Sequence, residues 1–265
     1  MRLLLFVVAV VGAGRAAAAE PTYPESDVDR PQLMYGGMTS LDLGVDLPTY
    51  AQTTADANGN AMTSTTTLGH YRYADVVVSH SFGSVEIGGR ILDDVSGPYL
   101  QGRALTYLGP IPGALSITAE LKVSEDYSVY THDYAETAGY EYKVAIVPHQ
   151  LALLGAASLS ISEFALKPTA VSPPAPPAGT YVFGSAGLTA EVQITAPFAL
   201  AVGAGVSVPF HRPGETDAGS ASLGTSMSLL YALHHWDFYG QFGFGDVTDT
   251  RTPFLNFGAV HRWGG

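Results

Sequence analysis

LMYGGMTSLDLGVDL, residues 33–47, places Leu33, Tyr35, Gly37, Thr39, Leu41, Leu43, Val45 and Leu47 on one set of alternate positions. Met34, Gly36, Met38, Ser40, Asp42, Gly44 and Asp46 fall on the other. Successive side chains of a strand point to opposite faces, so this alternation predicts a strand with one apolar face and one carboxylate-bearing face. A half-buried strand in a soluble domain holds such a pattern for about five or six residues. Here it runs through the whole of residues 33–47.

The pattern returns along the chain. In ALSITAELKVS (114–124), Leu115, Ile117, Ala119, Leu121 and Val123 alternate with Ser116, Thr118, Glu120 and Lys122. In YEYKVAI (140–146) and SVEIGGRI (84–91), the polar positions hold Glu141 and Lys143, and Glu86 and Arg90. A second version follows in FALAVGAGVSVPF (198–210). There Phe198, Leu200, Val202, Ala204, Val206 and Val208 oppose only Ala199, Ala201, Gly203, Gly205 and Ser207. A water-facing sheet surface would carry Lys and Glu opposite the bulky row. These faces are too small and too poorly charged for that role.

Turn signals divide the chain into about twelve strands. Their expected spans are 32–47, 66–81, 84–92, 98–108, 114–124, 138–147, 150–166, 180–194, 198–210, 219–234, 236–245 and 253–263. Ten or fourteen strands are the fallbacks. Connections alternate between brief turns, such as VPHQ (147–150), TAPF (195–198) and HHWD (234–237), and longer segments that are polar, acidic or Pro-rich.

Composition fits this picture. Of 265 residues, 14% are charged, where a soluble domain has about a quarter, and Gly (30) and Tyr (15) are abundant. The formal net charge of −12 argues against nucleic acid, whose phosphates need a basic footprint. Residues 1–19 read as a cleaved secretory signal: Met1-Arg2, an apolar run from Leu3 to Val11, then Ala17-Ala18-Ala19 before Glu20. No cysteine is present, so an exported chain of this sequence is held without disulfides. Residues 20–31 are expected to be a short periplasmic lead, and residues 32–265 the folded unit.

Hydrocarbon offers no water to backbone N–H and C=O groups. A sheet crosses it only as a closed barrel in which every ladder is paired. Tilted strands of about 9–11 residues span it, with brief turns at one end and long loops at the other. The sequence therefore predicts an all-β, antiparallel, up-and-down transmembrane barrel. Apolar rows touch lipid. Asp42, Asp46, Glu86, Arg90, Glu120, Lys122, Glu141, Lys143 and Glu191 face inward as candidate pore lining, since charge on the lipid face is costly. Aromatic residues near the strand ends are placed for interfacial girdles.

The last strand, PFLNFGAVHRWGG (253–265), carries Leu255, Phe257, Ala259, His261 and Trp263 on one face. It resembles the C-terminal signal of Gram-negative outer-membrane β-barrels, with Gly258 and Trp263 in matching spacing. His261 stands where that pattern is apolar or aromatic, and Gly264-Gly265 extend beyond it. The resemblance is to a broad, porin-like class. It implies an outer-membrane location, contact with membrane lipids and lipopolysaccharide, and recognition of this strand by the barrel assembly machinery.

No cofactor, metal or phosphate motif stands out. His234 and His235 are adjacent in a turn. Ser79, His80 and Ser81 alternate faces, so they do not by themselves make a nucleophile–base pair. The expected function is non-enzymatic: passive diffusion of small solutes with a mild cation preference. The alternatives are a non-conducting adhesive barrel acting through its loops, and a lipid-modifying enzyme. Oligomeric state is not legible in the sequence.

Overall fold

The computed structural model describes residues 24, 26–47, 51–55, 61–65, 73–93, 99–108, 111–122, 130–166, 179–213, 219–247 and 253–264. Residues 1–19, expected as the signal, lie outside these. The strands are β1 (Met38–Leu47), β2 (Ala51–Ala55), β3 (Ala61–Thr65), β4 (Tyr73–Ser81), β5 (Val85–Asp93), β6 (Tyr99–Leu108) and β7 (Ile111–Lys122). They continue with β8 (Tyr130–Val147), β9 (Leu151–Leu166), β10 (Gly179–Thr195), β11 (Phe198–His211), β12 (Ser222–Leu233), β13 (Trp236–Phe244) and β14 (Pro253–Gly264).

Twelve of these close into one antiparallel barrel, in which each strand pairs with its sequence neighbour and β1 pairs with both β4 and β14. The seam runs from Met38↔Gly264 to Leu47↔Leu255, so no edge is left with unpaired N–H and C=O groups. β2 and β3 form a separate two-stranded ladder in the connection from β1 to β4. Turns at 82–84, 148–150, 196–197 and 234–235 gather at one end, called here the turn end, together with both ends of the described chain. The longer connections lie at the loop end.

The barrel is inside-out relative to a soluble protein. Ile87, Ile117, Leu188, Ile194, Val202 and Phe210 are each more than half exposed. Leu43, Leu223, Met227, Leu229 and Phe257 stand out on neighbouring strands. Cross-strand pairing puts these residues level with one another, as in Val202↔Met227 and Leu188↔Ala204. A contiguous apolar wall of this extent, around a sheet without edges, fits acyl chains.

Several expected boundaries are corrected. β1 begins at Met38, so residues 33–37 do not belong to the strand despite their alternation. Gly37 adopts a φ of 88°, and Gly36 lies so close to Gly83 that a Cβ would sit 3.2 Å from the Gly83 backbone. The chain pivots on these two glycines, and Leu33 and Met34, at 3% and 7% exposure, turn into the barrel. Of the expected strand 66–81, β4 takes up Tyr73–Ser81, and residues 66–72 lie outside the described residues. β8 extends back to Tyr130, into residues that read as loop.

Both tryptophans of the chain, Trp236 and Trp263, lie on the outer wall near the turn end. His261 is stacked between them, with ring centroids 4.4 Å from Trp236 and 5.4 Å from Trp263. This is a girdle position. In lipid vesicles, tryptophan emission is expected to be quenched more by acyl chains brominated near the headgroup than by chains brominated near the terminal methyl. Equal lack of quenching by both would remove the lipid-facing assignment.

Candidate functional site: the turn-end mouth of the lumen

Over their middle stretch, the inward rows of β9 to β12 carry Ala156, Ser158, Ser185, Gly187, Gly205, Ser207, Ser222 and Gly224. Side chains this small do not meet across the barrel. They leave a lumenal cavity of ≈ 420 Å³, also bordered by Ser116 and Glu141. Ser158 and Ser185 pair their hydroxyls on its wall at 2.7 Å, and Thr137 and Ser160 do the same on β8 and β9 at 2.7 Å.

Towards the turn end the lumen changes character. A single 3-10 turn, Asp27–Asp29, and the residues that follow it to Met34 lie inside the mouth. Val28 is 4% exposed there, against β10 and β11. Arg30 reaches β13, donating to both carboxylate oxygens of Asp237 at 2.6 and 2.8 Å. This bidentate fork is the strong form of an Arg–carboxylate pair. Arg262, on the inward row of β14, also donates to Asp237. Arg30 Nε donates to the Pro24 carbonyl at 2.9 Å, which fixes the guanidinium plane.

Wall and segment meet at further points. Lys143 Nζ lies 2.6 Å from Glu191 and donates to the Asp27 carbonyl at 2.5 Å. Gln193 Oε1 accepts from Ser26 Oγ at 3.2 Å and from Val28 N–H at 3.4 Å. Glu86 accepts the Met34 N–H at 3.3 Å, and Ser81 Oγ donates to the Met34 carbonyl at 2.7 Å. Gln32 donates to the Glu141 carbonyl at 3.0 Å. Arg103 bridges two acids of the wall, at 3.5 Å from Glu86 and in a close ion pair with Glu141. At the rim, burial works against ionisation of Asp29, but the His149 and Ser26 bonds outweigh it and hold the carboxyl below its usual range. That contribution persists above the ordinary carboxylate pKa and is lost only as the pH falls through the lowered one.

The candidate lining residues divide accordingly. Glu86, Glu141, Lys143 and Glu191 gather at the mouth, in contact with the segment or with wall partners. Asp42, further up, accepts from Tyr239 at 3.0 Å. Asp46 and Arg90 occupy inward positions of β1 and β5, Arg90 pairing with Val77 beside Asp42. The side chains of Glu120 and Lys122 lie outside the described residues. Gly258 faces Gly44 across the seam beneath the Tyr239 hydroxyl, and Trp263 is on the outer wall. His80 faces outward and bonds Thr39 at 2.8 Å, whereas Ser81 is fully buried on the inner side. Those two side chains are therefore on opposite faces of the wall.

Sequence reading missed Arg30, Arg103, Asp237 and Arg262. Asp237 was expected within a turn, and Arg30 within a lead outside the barrel. The alternation in YLQGRALTYL (99–108) is broken at Gly102 and Ala104, which hid Arg103. The alternation of HRW (261–263) could have placed Arg262 opposite His261 and Trp263, but it carries no sign of a partner.

An apolar outer wall, a closed ladder and a polar, partly hollow interior decide the class. The chain is a transmembrane barrel of the outer-membrane type. No protein family matches its sequence, and no curated protein does. Among solved structures, the barrel is similar to the translocator domain of the autotransporter NalP from Neisseria meningitidis: 13% identity, 99% of this chain and 94% of that one covered, TM-score 0.49. It is similar to the outer-membrane protease OmpT from Escherichia coli at 8% identity, covering 90% and 100% of the two chains, with a TM-score of 0.35. An anion-selective porin from Comamonas acidovorans gives 11% identity, coverage of 85% and 99%, and a TM-score of 0.29. These are likenesses of barrel architecture.

Proposed function

We propose that the barrel resides in the outer membrane and passes small solutes by diffusion, with a mild preference for cations. The observation that carries this reading is the small inward row of β9 to β12. Barrel width grows with strand number, and beyond about eight strands side chains must be bulky to fill the interior. Here Ser, Gly and Ala keep a hydroxyl-lined space of ≈ 420 Å³ in the lumen. Asp42, Asp46, Glu86 and Glu191, on the inward faces of their strands, would bias the lumen towards cations. Export would use the signal at residues 1–19, and assembly the β14 strand with Gly258 and Trp263. The partners would be outer-membrane lipids, lipopolysaccharide and the barrel assembly machinery.

One observation favours a second reading. The segment in the mouth narrows the passage at the turn end, as a non-conducting barrel that acts through its loops would allow. Planar-bilayer recording separates the two. The intact barrel and a variant lacking residues 24–34 are recorded in a salt gradient. Conductance in either, with a reversal potential of cationic sign, is the expected result. Silence in both, with surface attachment lost on shortening 123–129 or 167–178, would replace passage by the loop reading.

A further inference from the structure

We infer that residues 26–34 are a displaceable plug of the turn-end mouth, latched by Arg30 on Asp237. The argument begins with what the wall keeps when the segment leaves. Asp237 retains Arg262. Glu86 and Glu141 retain Arg103. Glu191 retains Lys143. Each of these wall charges has a partner on another wall strand, so departure of the segment strands none of them in the lumen. Removing one partner of a buried pair is costly where it leaves the other uncompensated, and departure of the segment avoids that.

On the segment's side the arrangement is lopsided. Its polar links are mostly main-chain groups or neutral side chains: the Asp27 carbonyl, the Val28 and Met34 N–H groups, Ser26 and Gln32. Arg30 is the side chain that drives a buried charge into the wall, at 8% exposure against 1% for Asp237. Leaving the mouth would take the guanidinium to water, where it is well solvated. The pivot for this movement is present. Gly37 holds a positive φ directly before β1, and Gly36 carries no side chain to wedge against Gly83. The segment can swing without unzipping the seam at Met38.

The test exploits the absence of cysteine from the chain. Val28→Cys places a small thiol on the buried face of the plug. The full-length barrel is reconstituted in vesicles, and labelling by a membrane-impermeant maleimide is timed. Adding Arg30→Ala, which leaves the barrel wall untouched and removes two charge-assisted hydrogen bonds of the plug, is expected to speed labelling about a hundredfold. Arg262→Ala, which keeps the Arg30–Asp237 fork, is expected to stay within about threefold of the parent by the same reasoning. Arg30→Ala labelling no faster than the parent would overturn the latch. Equal acceleration by Arg262→Ala would overturn it too, since the mouth would then be loosening as a whole. What release achieves rests on the proposed passage of solutes, and conductance of the same variants judges that separately. Fast labelling without conductance in any variant would leave the latch standing and end the passage reading.

Discussion

Asp237→Ala is expected to destabilise the barrel by about 3–5 kcal/mol, the range for removing one partner of a buried ion pair. Asp237 is 1% exposed and accepts from both Arg30 and Arg262. Its loss removes the carboxylate that the two guanidinium groups share, while Arg30 keeps Asp27 at 3.4 Å. Arg262 is fixed on β14 and cannot follow the segment to water, so its guanidinium bears most of the loss. Urea unfolding in lipid vesicles, followed by gel mobility of the folded barrel, measures the change. Asp237→Asn keeps one acceptor and should lose less. A loss below about 1 kcal/mol for the alanine variant would mean that the pair is hydrated like a surface one.

The second large effect tests the outer wall. Leu188 is 58% exposed near the middle of β10, between Gly155 and Ala204 on the neighbouring strands. Leu188→Arg would put a cation near the centre of the acyl layer, at a cost of about 2–4 kcal/mol. Ser185→Arg lies three positions earlier on the same strand but faces the lumenal cavity. It should cost well under about 1 kcal/mol, because the guanidinium remains in a wet, polar space. The contrast between the two variants is what matters. If both were tolerated equally in vesicles, the exposed row would not be in hydrocarbon.

The two predictions draw on different layers of information. The outer wall was legible from alternation, because a tilted strand in a closed barrel obeys a strict two-residue period. β9 to β14 start and stop within about three residues of their expected positions for that reason. The strand count also followed, since each turn signal marks one reversal. The mouth was not legible. Arg30 and Asp237 are 207 residues apart, and neither stands in a motif. The Tyr130–Gly139 stretch misled because its Tyr, Asp and Glu residues have the composition of a loop.

Residues 33–47 show where the division falls. The sequence by itself determined the strand from Met38 onward, its lipid row of Leu41, Leu43 and Val45, and its inward Asp42 and Asp46. Local side-chain alternation and the cost of unpaired backbone in lipid are enough for that. Only the tertiary structure decided that Leu33 and Met34 leave the strand and enter the barrel. Their alternation continues across Gly36 and Gly37, and alternation carries no information about a pivot. The direction was set by groups that exist only once the barrel has closed: Glu86 for the Met34 N–H, Ser81 for its carbonyl, and Asp237 for Arg30.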